Sequence, residues 1–207
     1  MLIVFGGLSG TGKTTLARSL AQERHAPYLR IDTIEQALRS SRMLGDDVGP
    51  AGYMIAYALA EANLRLGQIV VSDSVNPLAI TRDAWREVAS TCSSAILEIE
   101  VVCSDADEHR RRVATRTTDI PGLAPPNWQQ VVTRDYEPWH RPHLVLDTAH
   151  RRPGSARRTS LADRQRIQLA GSRATPWGGH HHAARPSQST RRPVERNRLF
   201  TAIRTQP

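Results

Sequence analysis

The sequence predicts an α/β fold in which a parallel β-sheet is covered on both faces by helices, and three observations predict it. The apolar run Leu2-Ile3-Val4-Phe5 passes directly into a glycine-rich loop and then into a helical pattern. Further short apolar runs follow, around residues 28–31, 69–73, 95–102 and 144–147, and segments of helical spacing separate them. The alternation stops near His150, where the composition changes. Strands alternating with helices build parallel sheets, and such sheets gather ligands at the C-terminal ends of their strands.

The first unit carries the clearest chemistry. Gly7 and Gly12-Lys13-Thr14 complete the spacing G-x-x-x-x-G-K-[ST], placed after a strand and before a helix. Gly7, Gly10 and Gly12 can adopt backbone angles closed to other residues, so successive N–H groups can form a nest for polyphosphate. Ser9, Thr11 and Thr15 complete the expected nucleotide-binding stretch. Lys13 brings a point charge to the β and γ phosphates, and Thr14 offers a hydroxyl to Mg²⁺. The helix that follows, with Leu16, Ala17, Leu20 and Ala21 inward, aims its positive end at the same anion. Lys13 is the only lysine in the chain; arginine supplies the other 27 of 28 basic positions.

Continuing along the chain, Pro27 interrupts the helix, and Tyr28 to Ile31 reads as a second strand ending at Asp32, with a helix from about Thr33 to Arg39. A polar connection, Ser40 to Pro50, leads to a helix over Tyr53–Leu66 stopped by Gly67. Ile69 to Asp73 is a third strand. Asn76 and Pro77 then supply cap and first-turn chemistry for a helix to about Ser90. The fourth strand, Ala95–Val102, leads to Ser104 as the expected cap of an arginine-rich helix. A proline-rich loop over 120–126 precedes a helix from Asn127 to Tyr136, ended by Pro138, and Leu144–Asp147 is the fifth strand.

The net charge of +8 is unevenly distributed. Residues 1–150 hold 15 basic and 18 acidic residues; residues 151–207 hold 13 arginines against Asp163 and Glu195. The basicity belongs to the tail, so contact with nucleic acid is expected only there. With 207 residues, the expected organisation is one domain over 1–150 and an Arg/Pro-rich tail over 151–207, which is either a mostly disordered extension or the product of a reading-frame change. No apolar run approaches the roughly 20 residues of a membrane span and no leader pattern precedes the first strand, so a cytoplasmic protein is expected. Cys92 and Cys103 lack metal spacing, His140 and His143 lack ligand partners, and Trp85, Trp128 and Trp139 read as packing residues.

A phosphate loop implies a nucleotide but not a reaction. Asp32, at the end of the second strand, is positioned to take a proton from a hydroxyl attacking the γ-phosphate. Asp73 ends an apolar run as a carboxylate that can hold Mg²⁺ through water. Arg112 and Arg116 are four apart and are expected on one helix face, with Arg110 and Arg111 pointing elsewhere, so that the first pair neutralises charge on the transferred phosphoryl group.

The residues Gly7 to Thr15, Ile31-Asp32, Val70 to Pro77 and His109 to Arg116 resemble the small phosphate-loop kinases of the nucleoside-monophosphate-kinase-like group. Within that group the chain is similar to bacterial AAA-family ATPases and predicted kinases, and more distantly to adenylylsulfate, gluconate and shikimate kinases, chloramphenicol phosphotransferase and zeta toxins. The resemblance covers residues 1 to about 150. It implies a P-loop NTPase three-layer sandwich with a five-stranded sheet of order 2-3-1-4-5, MgATP as donor, and a small hydroxyl-bearing acceptor. It also matches Asp32 to the carboxylate after the second strand, and Arg112 and Arg116 to lid arginines. A helix usually follows the fifth strand in such proteins, and here the tail begins instead.

The expected function is therefore transfer of the γ-phosphoryl group of ATP to a small molecule, by a monomer or homodimer. Its acceptor pocket is expected from Ser40 to Tyr57 and around Ser74 to Arg82. The alternative is an ATP-binding regulatory protein of weak ATPase activity, whose basic tail contacts nucleic acid or an acidic partner.

Overall fold

A computed structural model describes residues 1–43 and 47–149, and the expected tail over 151–207 lies outside the described residues. Strands β1 (Leu2–Gly6), β2 (Tyr28–Arg30), β3 (Val70–Asp73), β4 (Ile96–Val102) and β5 (Leu144–Asp147) form one sheet of order β2-β3-β1-β4-β5, parallel at every pairing. Leu2 pairs with Val70 on one side and Ile96 on the other, so β1 runs through the middle of the sheet and is buried throughout.

Burial on both faces explains why β1 reads as an unbroken apolar run. Its alternate side chains serve two cores. Leu2 and Val4 join Ala56, Tyr57 and Ala60 of α3 (Ala51–Arg65) and Trp85 and Val88 of α4 (Ala79–Thr91). Ile3 and Phe5 join Leu16, Ala17 and Leu20 of α1 (Lys13–Arg24) on the opposite face. Trp85 is fully buried, meets the Tyr57 ring edge-on at 4.5 Å and donates from Nε1 to Asn76 Oδ1 at 3.2 Å. Truncating such a residue costs about 3–5 kcal/mol.

Several helix boundaries differ from the sequence expectation, and at two of them, Asn76 and Ser104, a tertiary partner engages the residue expected to cap. The second helix, α2 (Ile31–Ser41), begins one residue beyond β2, with Arg30 as its N-cap; Asp32 lies inside the first turn, where its carboxylate still complements the dipole. Asn76 does not cap α4. It is fully buried with φ 50° and holds Trp85, while Leu78 is the N-cap and the amide of Ala79 donates to Glu137. Asp105, not Ser104, caps α5 (Ala106–Thr115), accepting from the Glu108 amide at 3.0 Å; Ser104 donates instead to Asp147 at the end of β5. The helix expected over Asn127–Tyr136 shortens to α6 (Trp128–Val132), closed at its start by a capping box between Asn127 and Gln130. Tyr136 leaves the helical path because its hydroxyl donates to Glu100 of β4. Among the described residues no helix is long and apolar enough to cross a membrane.

Candidate functional site

The loop between β1 and α1 is shaped by close approach. Gly7 has φ 132°, and a Cβ there would lie 2.2 Å from the Val101 carbonyl oxygen; Gly10 has φ 89°, and its Cβ would lie 2.6 Å from Val113 Cγ2. Other elements grip the loop from outside. The Gly7 amide donates to Val75 O at 3.0 Å, His109 Nε2 of α5 lies 2.7 Å from Ser9 O, and Thr148 Oγ1 donates to Thr11 O at 2.7 Å. The Thr11 hydroxyl donates to Leu8 O at 2.9 Å. With the carbonyls of Leu8, Ser9 and Thr11 engaged, the backbone of this loop is equipped to serve a ligand through N–H donors.

A cavity of about 520 Å³ opens beside this loop. Gly10 and Gly12 to Thr15 line it, together with Arg112 and Arg116. Lys13 is 6 % exposed, and burial holds its ammonium below the ordinary lysine pKa, opposed by the nearby carboxylates of Asp73 and Asp32. Gly7, Ser9 and Thr11 lie in the loop but do not line the cavity; they hold its shape through the contacts above.

Asp73 is buried at the end of β3. Its Oδ2 accepts from the Tyr28 hydroxyl at 2.6 Å and lies 3.9 Å from Arg30 Nε, whereas its Oδ1 has no hydrogen-bond partner. Asp32 is partly exposed, 3.7 Å from Arg30 Nη2. Among the described residues no group of three or more His, Cys, Asp or Glu side chains is arranged to hold a metal. That donor set nonetheless fits Mg²⁺, which keeps most of its waters and takes few protein oxygens: the unpartnered Asp73 Oδ1 and the Thr14 hydroxyl are of the right type.

Two readings of the arginines change. Helix α5 ends at Thr115, and Arg116 is its C-cap in an extended conformation, so Arg112 and Arg116 meet at the cavity through the chain's exit from the helix rather than by sharing a face. Arg111, expected to point elsewhere, also lines the cavity and pairs with Glu108 at 2.7 Å. Arg112 is a tie: it donates to Glu108 Oε1 at 2.7 Å, to Thr148 Oγ1 at 2.9 Å and to Thr148 O at 2.8 Å.

The expected acceptor walls are not part of this cavity. Tyr53 and Tyr57 are packed against the Trp85 core; burial pushes the Tyr53 phenol up to about 12. Arg82 is 4 % exposed and donates to the carbonyls of Asn76, Pro77 and Pro138. Residues 44–46 of that stretch lie outside the described residues. In their place the cavity contains Arg18, Arg30, Asp119 and Thr148, which sequence reasoning did not single out. Only Arg30 left a signal, as a charged residue ending an otherwise apolar strand. The tryptophans do pack: Trp128 lies edge-on to His109 at 5.2 Å, and Trp139 stacks on Arg82 at 5.0 Å and covers Gly6.

A model of the AAA domain family matches residues 2–125. Among curated proteins the chain is 23% identical over 124 residues to a provisionally named 26S proteasome regulatory subunit homologue of Methanocaldococcus jannaschii; the match covers 60% of this chain and spans only 31% of that relative. Among solved structures it is similar to a provisionally described kinase from Chloroflexus aurantiacus J-10-fl, with 22% identity, a TM-score of 0.64, and 84% of this chain and 97% of that one covered. It is also similar to Chaetomium thermophilum Kti12 in complex with ADP-AlF3, with 20% identity, a TM-score of 0.55 and 84% and 100% coverage. The APS kinase CysC of Mycobacterium tuberculosis, in complex with AMPPNP and APS, aligns with 20% identity, a TM-score of 0.51 and 81% and 96% coverage. These structural likenesses show the fold, a P-loop three-layer sandwich around a parallel sheet of order 2-3-1-4-5.

Proposed function

The chain belongs to this AAA domain family, and from that premise we propose that it is an ATP-dependent kinase transferring the γ-phosphoryl group to a hydroxyl of a small molecule. The observation that carries the reading is the buried Lys13 at a cavity shared with Arg116 and Arg112, with the Asp32 and Asp73 carboxylates close enough to act on its charge. The resemblance in fold to kinases supports it.

In this reading the loop from Gly7 to Thr15 binds the phosphates, and Lys13 neutralises their β and γ oxygens. Thr14 and Asp73 would hold Mg²⁺, which supplies charge neutralisation to the phosphates when bound. Asp32 accepts the proton of the acceptor hydroxyl as its oxygen bonds to the γ-phosphorus and the bond to the β-γ bridging oxygen breaks, releasing ADP. Arg116 neutralises charge on the transferred group, and Arg112, paired with Glu108 and bonded to Thr148, holds the cavity wall beside it.

The test is ADP release from MgATP across a panel of hydroxyl-bearing metabolites and antibiotics, with wild type, Lys13→Ala and Asp32→Asn. Lys13→Ala should abolish transfer with the fold intact, and Asp32→Asn should remove acceptor turnover while sparing ATP binding. Equal loss of ATP affinity in both variants would contradict these roles. A second reading, an ATP-binding regulatory protein of weak ATPase activity, is favoured by the 13 arginines in residues 151–207. It predicts trace hydrolysis that no acceptor stimulates, and salt-sensitive association with nucleic acid or an acidic partner that is lost when those residues are deleted.

A further inference from the structure

Arg30 closes the edge strand β2 with a guanidinium that is 5 % exposed and ringed by carboxylates. Asp32 and Asp73 stand at 3.7 and 3.9 Å, ion-pair distances too long for hydrogen bonds. Its Nε has no hydrogen-bond partner, and its Nη1 donates to Asp119 Oδ1 at 2.7 Å, a residue 89 positions away in the chain. Asp119 is half exposed, lies just beyond α5, and its other oxygen pairs with Arg18 of α1. One carboxylate thus sits between two guanidinium groups inside the cavity. That is the geometry by which a protein holds a phosphate, sulfate or carboxylate.

We propose that Arg18 and Arg30 form an oxyanion subsite for a charged group on the phosphoryl acceptor, and that the Asp119 carboxylate occupies this subsite until such an acceptor displaces it. The proposal rests on the kinase reading and narrows its substrate to anionic hydroxyl compounds. Charge and position support it. With Asp119 withdrawn, Lys13, Arg18, Arg30 and Arg116 line the cavity, Asp32 and Asp73 stand beside Arg30 outside its lining, and Arg111 and Arg112 are already paired with Glu108, which leaves an excess of positive charge that an acceptor anion offsets. Arg30 also touches Asp32, so an anion held at Arg30 brings the remainder of its molecule beside the carboxylate assigned to the hydroxyl proton. Neither arginine contributes to the phosphate-loop motif, so nucleotide binding alone leaves this pair without a ligand role.

The experiment uses the full chain saturated with MgAMPPNP, so that the phosphate loop is filled, and titrates inorganic sulfate, phosphate and acetate separately at constant ionic strength by calorimetry. Saturable binding is expected, and the strongest of the three names the chemistry of the group. Asp119→Asn should tighten it roughly tenfold and Arg18→Gln should weaken it roughly tenfold. Arg30→Gln should weaken it too. Because Arg18 is 44 % exposed, its variant retains the fold and keeps the test decisive if the Arg30 variant does not. An affinity unchanged in Asp119→Asn and in Arg18→Gln would overturn the proposal. So would anion binding that occurs with MgADP and vanishes with MgAMPPNP, since Arg30 would then be serving the γ-phosphate.

A turnover arm compares a sugar with its phosphate monoester and a hydroxy acid with its primary amide. The anionic member should be preferred by at least roughly tenfold, and Arg18→Gln should erase that preference. Turnover of the neutral members alone would overturn the subsite and leave the kinase reading standing. Anion binding with the expected variant effects, but no turnover of any compound, would sustain the subsite and overturn the kinase reading.

Discussion

Thr148→Val tests whether the end of β5 holds the phosphate loop. Thr148 is 3 % exposed, and valine reproduces its shape without the hydroxyl. That hydroxyl donates to Thr11 O at 2.7 Å and accepts from Arg112 Nη1 at 2.9 Å. Removing it takes a donor from the carbonyl of Thr11, which is itself 2 % exposed, at a cost of about 1–3 kcal/mol. Arg112 keeps its bonds to Glu108 and to the Thr148 carbonyl, and its partly exposed Nη1 can take water, which adds about 0–1 kcal/mol. The total of about 2 kcal/mol corresponds to a fall of about 4–8 °C in Tm. Thr148→Ser is the control, because it keeps the hydroxyl and loses one methyl group at about 1 kcal/mol. Calorimetric melting and MgAMPPNP titration should give the order wild type, Ser, Val in Tm, with affinity for the nucleotide weakened in the valine variant alone. Identical Tm and identical affinity for the two variants would refute the reasoning that the hydroxyl organises the loop.

Gly10→Ala should destabilise by about 2–4 kcal/mol, from the positive φ together with the 2.6 Å approach to Val113, and adding Val113→Ala should recover part of that in denaturant titration. Tyr28→Phe removes the phenol donor from Oδ2 of the buried Asp73, whose Oδ1 already has no hydrogen-bond partner, and should cost about 1–3 kcal/mol by chemical denaturation; a change under about 0.5 kcal/mol would mean water replaces the bond. Its phenol is the donor at every physiological pH because burial and the Asp73 charge push its pKa far up. The Arg30 hydrogen bond and the Arg18 contact lower Asp119 to about 2 from an ordinary value of 3.8, so its contribution to stability is complete above pH 4 and lost as pH falls through about 2. The Tm difference between wild type and Asp119→Asn should therefore be largest above pH 4 and shrink toward pH 2; a constant difference would show that the carboxylate charge is not what holds the segment.

The phosphate loop was legible from spacing alone because its constraint is local: a strand, a set of glycines and a helix start must be contiguous for the backbone to turn its N–H groups together. The strands were legible because a doubly covered parallel sheet demands unbroken apolar runs. Asp73 was visible as a carboxylate at a strand end, and Asp32 as one just after a strand, although β2 stops at Arg30 and Asp32 belongs to the first turn of α2. Arg30 was less visible, and Asp119 and Thr148 were not, since nothing in the periodicity around either residue says that it will meet Arg30 or Arg112 at a distance of tens of residues. Helix caps failed for a related reason. Asn76 and Ser104 have the right chemistry at the right distance, yet Trp85 and Asp147 compete for them, and only the folded chain decides that competition.

By itself, then, the sequence determined the fold class, the glycine-rich loop between β1 and α1 and the arginine-rich composition of residues 151–207, because these depend on short-range order and composition. The tertiary structure decided which charges meet. It drew Arg116 to the cavity at a helix exit, took Tyr53 and Tyr57 out of the expected acceptor site into the core, and set Asp119 between Arg18 and Arg30. Coulombic contacts of this kind act through space over a few ångströms, and distance along the chain carries no record of them.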